Sequence, residues 1–272
     1  MSRLLDLFEV TETGQQSWRG RGSGPAGKRA YGGQLLAQSL AAAARTVDPA
    51  RAPSAMHLQF LRGGAAGDPV DYRVVHVHDG RTATARRIDA AQNGRLLTTA
   101  TVAFAAALPG PEHGRRDRPG APDVSATTGP PGPAPALPLD ELDIRFTDTG
   151  SGENFVRRLW WRAVVDLPDD PLVHTLIAVY VTDVYLIDPA LQVHGHSMRS
   201  RTHRSGTTDA SVWFHRQLRA DEWNLLECRS PAAARGRAVV TASLVGSDGT
   251  IAATLVQEGL IAEREPAPDP VR

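Results

Sequence analysis

At 272 residues the chain is long enough for one large domain or for two of roughly 100–150 residues, each able to bury its own core. Its 30 basic and 30 acidic side chains cancel, which excludes nucleic acid or an anionic membrane surface as a partner drawn in by overall charge. Cys228 is alone and so excludes an internal disulfide, Met1 to Trp18 lacks the basic start and apolar run of a signal peptide, and no apolar stretch nears the roughly 20 residues needed to span a bilayer, so a cytoplasmic protein without membrane insertion is expected.

In chain order the first feature is glycine-rich. Gly22, Gly24 and Gly27 satisfy a GxGxxG spacing, but no strand precedes them. Gly22 to Lys28 has phosphate-loop spacing, yet Arg29 stands where Ser or Thr would ligate magnesium. A turn-rich loop is expected, with no nucleotide and no cofactor. Gly32-Gly33-Gln34 then opens an Ala- and Leu-rich stretch to Val47 with good helix propensity. Strand-like runs follow at Ala55 to Leu61, Val70 to His78, Arg81 to Ala90 and Leu96 to Ala105.

From His113 to Pro138 the composition shifts to Pro, Gly, Arg, Ser and Thr, with Gly129-Pro130-Pro131-Gly132-Pro133 unable to sustain a helix or a central strand. The expected organisation is a first domain over 1–112, a linker over 113–139, a second domain over 140–266 and a tail over 267–272. The second half repeats the order of the first: a helix over Leu172 to Leu186, then strands at Ala210 to His215, Trp223 to Arg229, Arg237 to Val245 and Thr250 to Glu258. Ile187 to Thr208 is extra and reads as a loop. Its His194, His196 and His203 lack Cys or clear carboxylate partners, so ordinary loop histidines and no metal are expected. Gly195 to Arg199 lacks the last glycine of a nucleophile elbow, which argues against a serine hydrolase.

Subtraction tests the repeat. Phe60 and Phe214 differ by 154, as do Arg62 and Arg216; Asp68 and Asp221 differ by 153, Gly80 and Gly236 by 156, Gly94 and Gly249 by 155. So narrow a spread implies a duplicated domain. Asn93-Gly94 and Asp248-Gly249 are both dipeptides that supply positive φ at two-residue hairpin loops. A helix lying across an antiparallel sheet buries one apolar stripe against one sheet face, an α+β arrangement.

These residues resemble the acyl-CoA thioesterase II family, whose members are double hot-dog proteins. The resemblance rests on Tyr31-Gly32-Gly33-Gln34 with Gln38, Phe60-Leu61-Arg62, Asp79-Gly80-Arg81, Ala85-Arg86-Arg87 with Gln92-Asn93-Gly94, Thr182-Asp183, Ser211 to Arg216, and Val256-Gln257-Glu258-Gly259, in that order. It implies a tandem hot-dog fold, each domain a long helix against a curved antiparallel sheet, with the two sheets joined edge to edge. It also implies a catalytic set of Asp183 on the second-domain helix, Thr207 on the loop before the Trp-Phe-His strand, and Gln257 on the last strand. Gly32, Gly33, Gln34, Thr208 and Arg86 are candidates for binding substrate. Two positions depart from the family pattern: Ala210 stands where His usually follows the Asp, and Gly63 where Pro usually follows Phe-Leu-Arg.

Thioester hydrolysis needs an activated water and donors for the oxyanion that forms on the carbonyl. Asp183 can accept a proton from water, and Thr207 and Gln257 can fix the water's orientation. The expected substrate is an acyl-CoA or acyl-carrier-protein thioester, and self-association into a homo-oligomer is expected from exposed sheet faces. Two rivals remain: a hot-dog dehydratase, hydratase or cyclase in which Asp183 moves a substrate proton, and a non-catalytic acyl-binding module.

Overall fold

The computed structural model describes residues 2–25, 27–116, 123–127, 138 and 140–264. Most of the expected linker and the whole 267–272 tail lie outside the described residues. Four α-helices and twelve strands follow one another as α1 (Arg3–Asp6), β1 (Val10–Gly14), β2 (Ser17–Gly20), α2 (Gly32–Ala44), β3 (Ala52–Phe60), β4 (Val70–Asp79), β5 (Ala83–Gln92), β6 (Arg95–Ala105), β7 (Leu142–Thr149), β8 (Val156–Ala163), α3 (Pro171–Thr182), α4 (Asp188–Gln192), β9 (His203–Phe214), β10 (Asn224–Ala234), β11 (Arg237–Val245) and β12 (Ile251–Glu263).

All twelve strands form one sheet in the order β1-β2-β4-β5-β6-β3-β9-β12-β11-β10-β8-β7. The second six positions repeat the first six in reverse, which is a pseudo-twofold about the β3–β9 seam. There the halves join as antiparallel neighbours, from Ala55 opposite Trp213 to Gln59 opposite Asp209. Two edges that would otherwise template aggregation thereby satisfy each other. With α2 and α3 packed against this sheet, the chain has the tandem hot-dog architecture, its two sheets joined edge to edge as expected.

The core follows from alternation. Along β9 and β12, Ala210, Val212, Ala253, Leu255 and Gln257 are buried while Trp213 is 44% exposed, the two-residue period of a sheet with one covered face. In α2, Leu35, Leu36 and Leu40 are buried, each contributing about 1.5–3 kcal/mol by leaving water. The same helix buries two amides. Gln38 accepts from the Tyr72 hydroxyl at 2.7 Å and donates to Leu7 O at 2.8 Å, and Gln34 accepts from Ser23 Oγ at 2.5 Å and donates to Arg21 O at 2.9 Å. These bonds tie the N-terminal hairpin to α2.

Several local expectations need correction. The second-domain helix stops at Thr182 instead of Leu186, because Asp183 takes a capping conformation at φ −89°, ψ 6° and Tyr185 has φ +56°. The 187–208 stretch is not simply a loop: it contains α4 and the first half of β9. Asp248-Gly249 belongs to a longer turn in which Gly246 N–H donates to Thr250 O and only Gly249 has positive φ, whereas Asn93 and Gly94 both have it. The β1–β2 hairpin and the β7–β8 pair had no counterpart in the sequence reading.

Candidate active site

The start of α2 and the end of α3 meet across the domain boundary. Tyr31, at the cap of α2, has no side-chain cap hydrogen bond of its own, so the first amides of this helix need an outside acceptor. The Asp183 carboxylate takes that place by accepting from the Gly33 N–H. Glycine is required at both positions. A Cβ at Gly32 would lie 2.5 Å from Asp183 Oδ2 and 3.1 Å from the Phe60 ring, and one at Gly33 would lie 2.3 Å from Tyr180 O. The Tyr31 hydroxyl clamps the same junction by donating to Tyr180 O at 2.8 Å.

Thr207 and Gln257 reach Asp183 from the sheet. Thr207 Oγ1 donates to Asp183 Oδ1 at 3.0 Å and lies 3.5 Å from Gln257 Oε1. Gln257 Nε2 stands 3.5 Å from the same Oδ1, the outer limit of a hydrogen bond. The three groups thus touch one another directly. Thr207 comes from a strand, not a loop: Glu258 pairs with Asp209 and Gly259 with Thr207, so Thr208 is the extra residue of a β-bulge. A bulge re-aims the side chains beside it, and this one places the Thr207 hydroxyl beside Asp183.

Burial pushes the Asp183 carboxyl up to about 6, against the opposing hydrogen bonds from Thr207, Gln257 and Gly33. The residue as a whole is partly buried. The Tyr31 phenol is held well above its ordinary value by burial and then by the Asp183 charge, and remains protonated. From Thr182, the neighbour of Asp183, a narrow apolar cavity of about 20 Å³ runs beneath α3 along Val179, Ala178 and Thr175, facing Val212 and Phe214.

The remaining expected binding residues lie elsewhere. Gln34 is committed to Ser23 and Arg21, as described. Thr208 Oγ1 donates to Glu258. Arg86 is buried and saturated: it bonds Thr46 Oγ1, Thr46 O, His78 O and Asp79 Oδ1, which closes the end of α2 and leaves nothing for a phosphate. Of the segment's histidines, His196 and His203 lie ring beside ring at 4.8 Å, tilted by 53°; among the described residues no group of three or more His, Cys, Asp and Glu could hold a metal ion. Nor, among them, is any helix long and apolar enough to cross a membrane.

Phe60 and Tyr31, which the sequence marks only as motif residues, and Ile187 are contributors that sequence reading does not assign to the site. Ile187 packs so closely that a Cβ on Gly259 would lie 2.6 Å from it, which pins the inserted segment beside Thr207. Its anchor is Asp188, fully buried, which accepts from Arg157 Nη1 at 2.8 Å, Gln192 Nε2 at 3.0 Å and Met198 N–H at 2.6 Å.

Residues 114–261 match the acyl-CoA thioesterase C-terminal domain, and residues 21–105 the acyl-CoA thioesterase N-terminal domain. The chain is 27% identical to human acyl-coenzyme A thioesterase 8 over 297 aligned residues, covering 96% of this chain and 88% of that protein. It is 26% identical to acyl-CoA thioesterase 2 of Haemophilus influenzae, over 96% of this chain and 97% of the other. The solved structure of the acyl-CoA thioesterase II TesB2 from Mycobacterium marinum superposes with a TM-score of 0.82 at 29% identity, over 96% of this chain and 99% of that one. The duplicated sheet, the carboxylate at the helix junction and both domain matches agree: the chain belongs to the acyl-CoA thioesterase II family, the double hot-dog thioester hydrolases.

Proposed function

We propose that this protein hydrolyses an acyl-CoA thioester to the free acid and the thiol, using a water activated by Asp183 and oriented by Thr207 and Gln257. One observation carries the reading: a hydroxyl and a carboxamide from two strands converge on one oxygen of a carboxylate, whose other oxygen faces the start of α2.

In this mechanism the ionised Asp183 accepts a proton from water while the oxygen lone pair adds to the thioester carbonyl carbon. Thr207, whose own proton points to Asp183, accepts a hydrogen bond from the water and holds its lone pair on line. Negative charge grows on the carbonyl oxygen. The Gly32 N–H at the positive end of α2 is the donor we assign to it. Collapse of the tetrahedral adduct breaks the C–S bond, and the proton held by Asp183 passes to the departing thiolate. A carboxyl poised at about 6 suits both the accepting and the returning step.

The assay is thiol release from a panel of acyl-CoA thioesters. Hydrolysis lost in Asp183→Ala with folding intact supports the proposal, and an unchanged rate would end it. A thioester consumed without thiol release would instead identify a dehydratase, hydratase or cyclase.

A further inference from the structure

One face of the sheet is covered by α2 and α3. The other is bare among the described residues from β5 to β11, and it is uneven about the β3–β9 seam. The strand registers set its residues in rows. One row runs Ala85, Ala103, Ala55, Trp213, Thr254 and Ser243 across β5, β6, β3, β9, β12 and β11. Its three consecutive alanines make a floor about 14 Å wide, three strands at about 4.8 Å each. Beside that floor Trp213 stands 44% exposed, the largest exposed apolar side chain among the described residues. The alanines, with His57, Thr101, Ser211 and Trp213, line a cleft of about 340 Å³.

The pseudo-twofold shows that this hollow is particular to the first half. Across the seam the equivalents of Ala55, Ala103 and Ala85 are Asp209, Glu258 and Val239, and the equivalent of Trp213 is Gln59. Small side chains replace larger ones on one side of the seam, and an indole replaces an amide on the other. A hollow and a projecting aromatic thus lie one strand apart. The uncovered face of an antiparallel sheet is ordinarily polar, whereas this row contains no charged residue.

We infer that this face is the interface of a homodimer in which Trp213 of each copy seats in the alanine hollow of the other. A twofold axis lying in the interface along the seam brings the second copy's Trp213 over Ala55 and Ala103. Sheets stack about 10 Å apart, so an indole is accommodated only where the opposite floor is small. The same operation sets His57 against Ser211, Thr101 against Val256, Gln59 against Asp209 and Thr99 against Glu258. No like charges meet, and the Gln59 amide can donate to the second copy's Asp209 carboxylate. Arg87 with Asp89, and Glu258 with Arg237, are already paired within one copy, which reduces the cost of covering them.

The area is sufficient. Six strands of about 4.8 Å spacing and some nine residues of about 3.3 Å rise give a patch on the order of 800 Å² per copy, one side of a standard stable interface. Asp183 and the cavity beneath α3 lie on the other face of the sheet, so the inference stands independently of the hydrolysis reading.

Sedimentation velocity of the full chain is expected to show twice the chain mass at about 10 µM, the weak end of affinities for an interface of this size. Trp213→Ser removes the knob and Ala103→Arg fills the hollow. Each is expected to weaken association about thirtyfold or more, the loss of a buried aromatic anchor, with an unchanged far-UV circular dichroism spectrum. Val164→Arg, at an exposed apolar residue outside this face, is expected to leave the dimer intact. Hydroxyl-radical footprinting of the unaltered protein reads the same contact without a substitution: Trp213 is expected to be protected at high concentration and oxidised on dilution. An unaltered chain that sediments as a monomer at that concentration, whatever else then binds the cleft, overturns the inference. So does a dimer that persists in both variants, or a Trp213 oxidised equally at every concentration.

Discussion

The two halves of the sheet are built alike and equipped differently. Phe60 pairs with Thr98 as Phe214 pairs with Ala253, and a bulge at Pro53–Ala55 repeats the one at Thr207–Asp209. On this register Thr207 corresponds to Pro53 and Gln257 to Val102, while the residue capping the end of α2 is Arg45 where α3 has Asp183. Duplication preserved the backbone device that aims a side chain at the helix junction, but the first copy holds a proline, a buried valine and an exposed arginine at these places. A scaffold survives replacement of polar groups by apolar ones because burying apolar surface stabilises it. A general base does not survive such replacement.

This asymmetry can be broken or sharpened by paired substitutions. The largest expected contrast is at the caps: Asp183→Ala lowers kcat by about a thousandfold, within the range for loss of a general base, while Arg45→Ala leaves it within about twofold. Next comes the segment present only in the second half. Asp188→Ala leaves the buried Arg157 with Asp148 alone and strips the buried acceptor from Arg157 Nη1, Gln192 Nε2 and Met198 N–H, and is expected to cost about 3 kcal/mol in urea unfolding, whereas Asp71→Ala, which breaks the exposed pair with Arg19, costs no more than about 1 kcal/mol. Third, Gln257→Leu is expected to reduce kcat about a hundredfold with little loss of stability, and Val102→Ala to do the reverse, costing roughly 1–3 kcal/mol while sparing turnover.

The pH dependence is a smaller effect with a definite sign. Only ionised Asp183 accepts a proton, so kcat is expected to rise with pH and level off above about 6. For stability the direction is opposite. The carboxyl in the folded chain titrates above its ordinary 3.8, so its ionisation costs nothing at pH 3 and opposes folding progressively as pH rises through 6. Asp183→Asn is therefore expected to abolish hydrolysis yet to raise stability at pH 8, on the order of 2 kcal/mol after allowing for its partial exposure. No such gain is expected at pH 3. Equal stability changes at the two pH values would show that the carboxylate is not strained by its surroundings.

Sequence by itself determined the duplication and the helix-then-strands order of each half, because apolar periodicity and turn glycines are local and legible along the chain; Asp183, Thr207 and Gln257 were grouped only by the family resemblance. It also marked Gly32 and Gly33, although not the reason for them. Tertiary structure decided the rest. β8 escapes sequence reading because Arg157 and Arg158 interrupt an apolar strand, and only Asp148 and Asp188 make the burial of Arg157 tolerable while Glu227 pairs with Arg158. Thr207 read as a loop residue because Ser205, Gly206, Thr207 and Thr208 carry no strand signal until β12 pairs with them. Arg86 reads as a substrate-binding residue until Thr46, just past α2, and His78 and Asp79 of β4 take its donors. Asp183 became a raised-pKa cap on a helix of the other domain through the packing of α2 on α3. Each of these outcomes depends on groups far apart in sequence sharing one desolvated place, and no window of neighbouring residues contains that information.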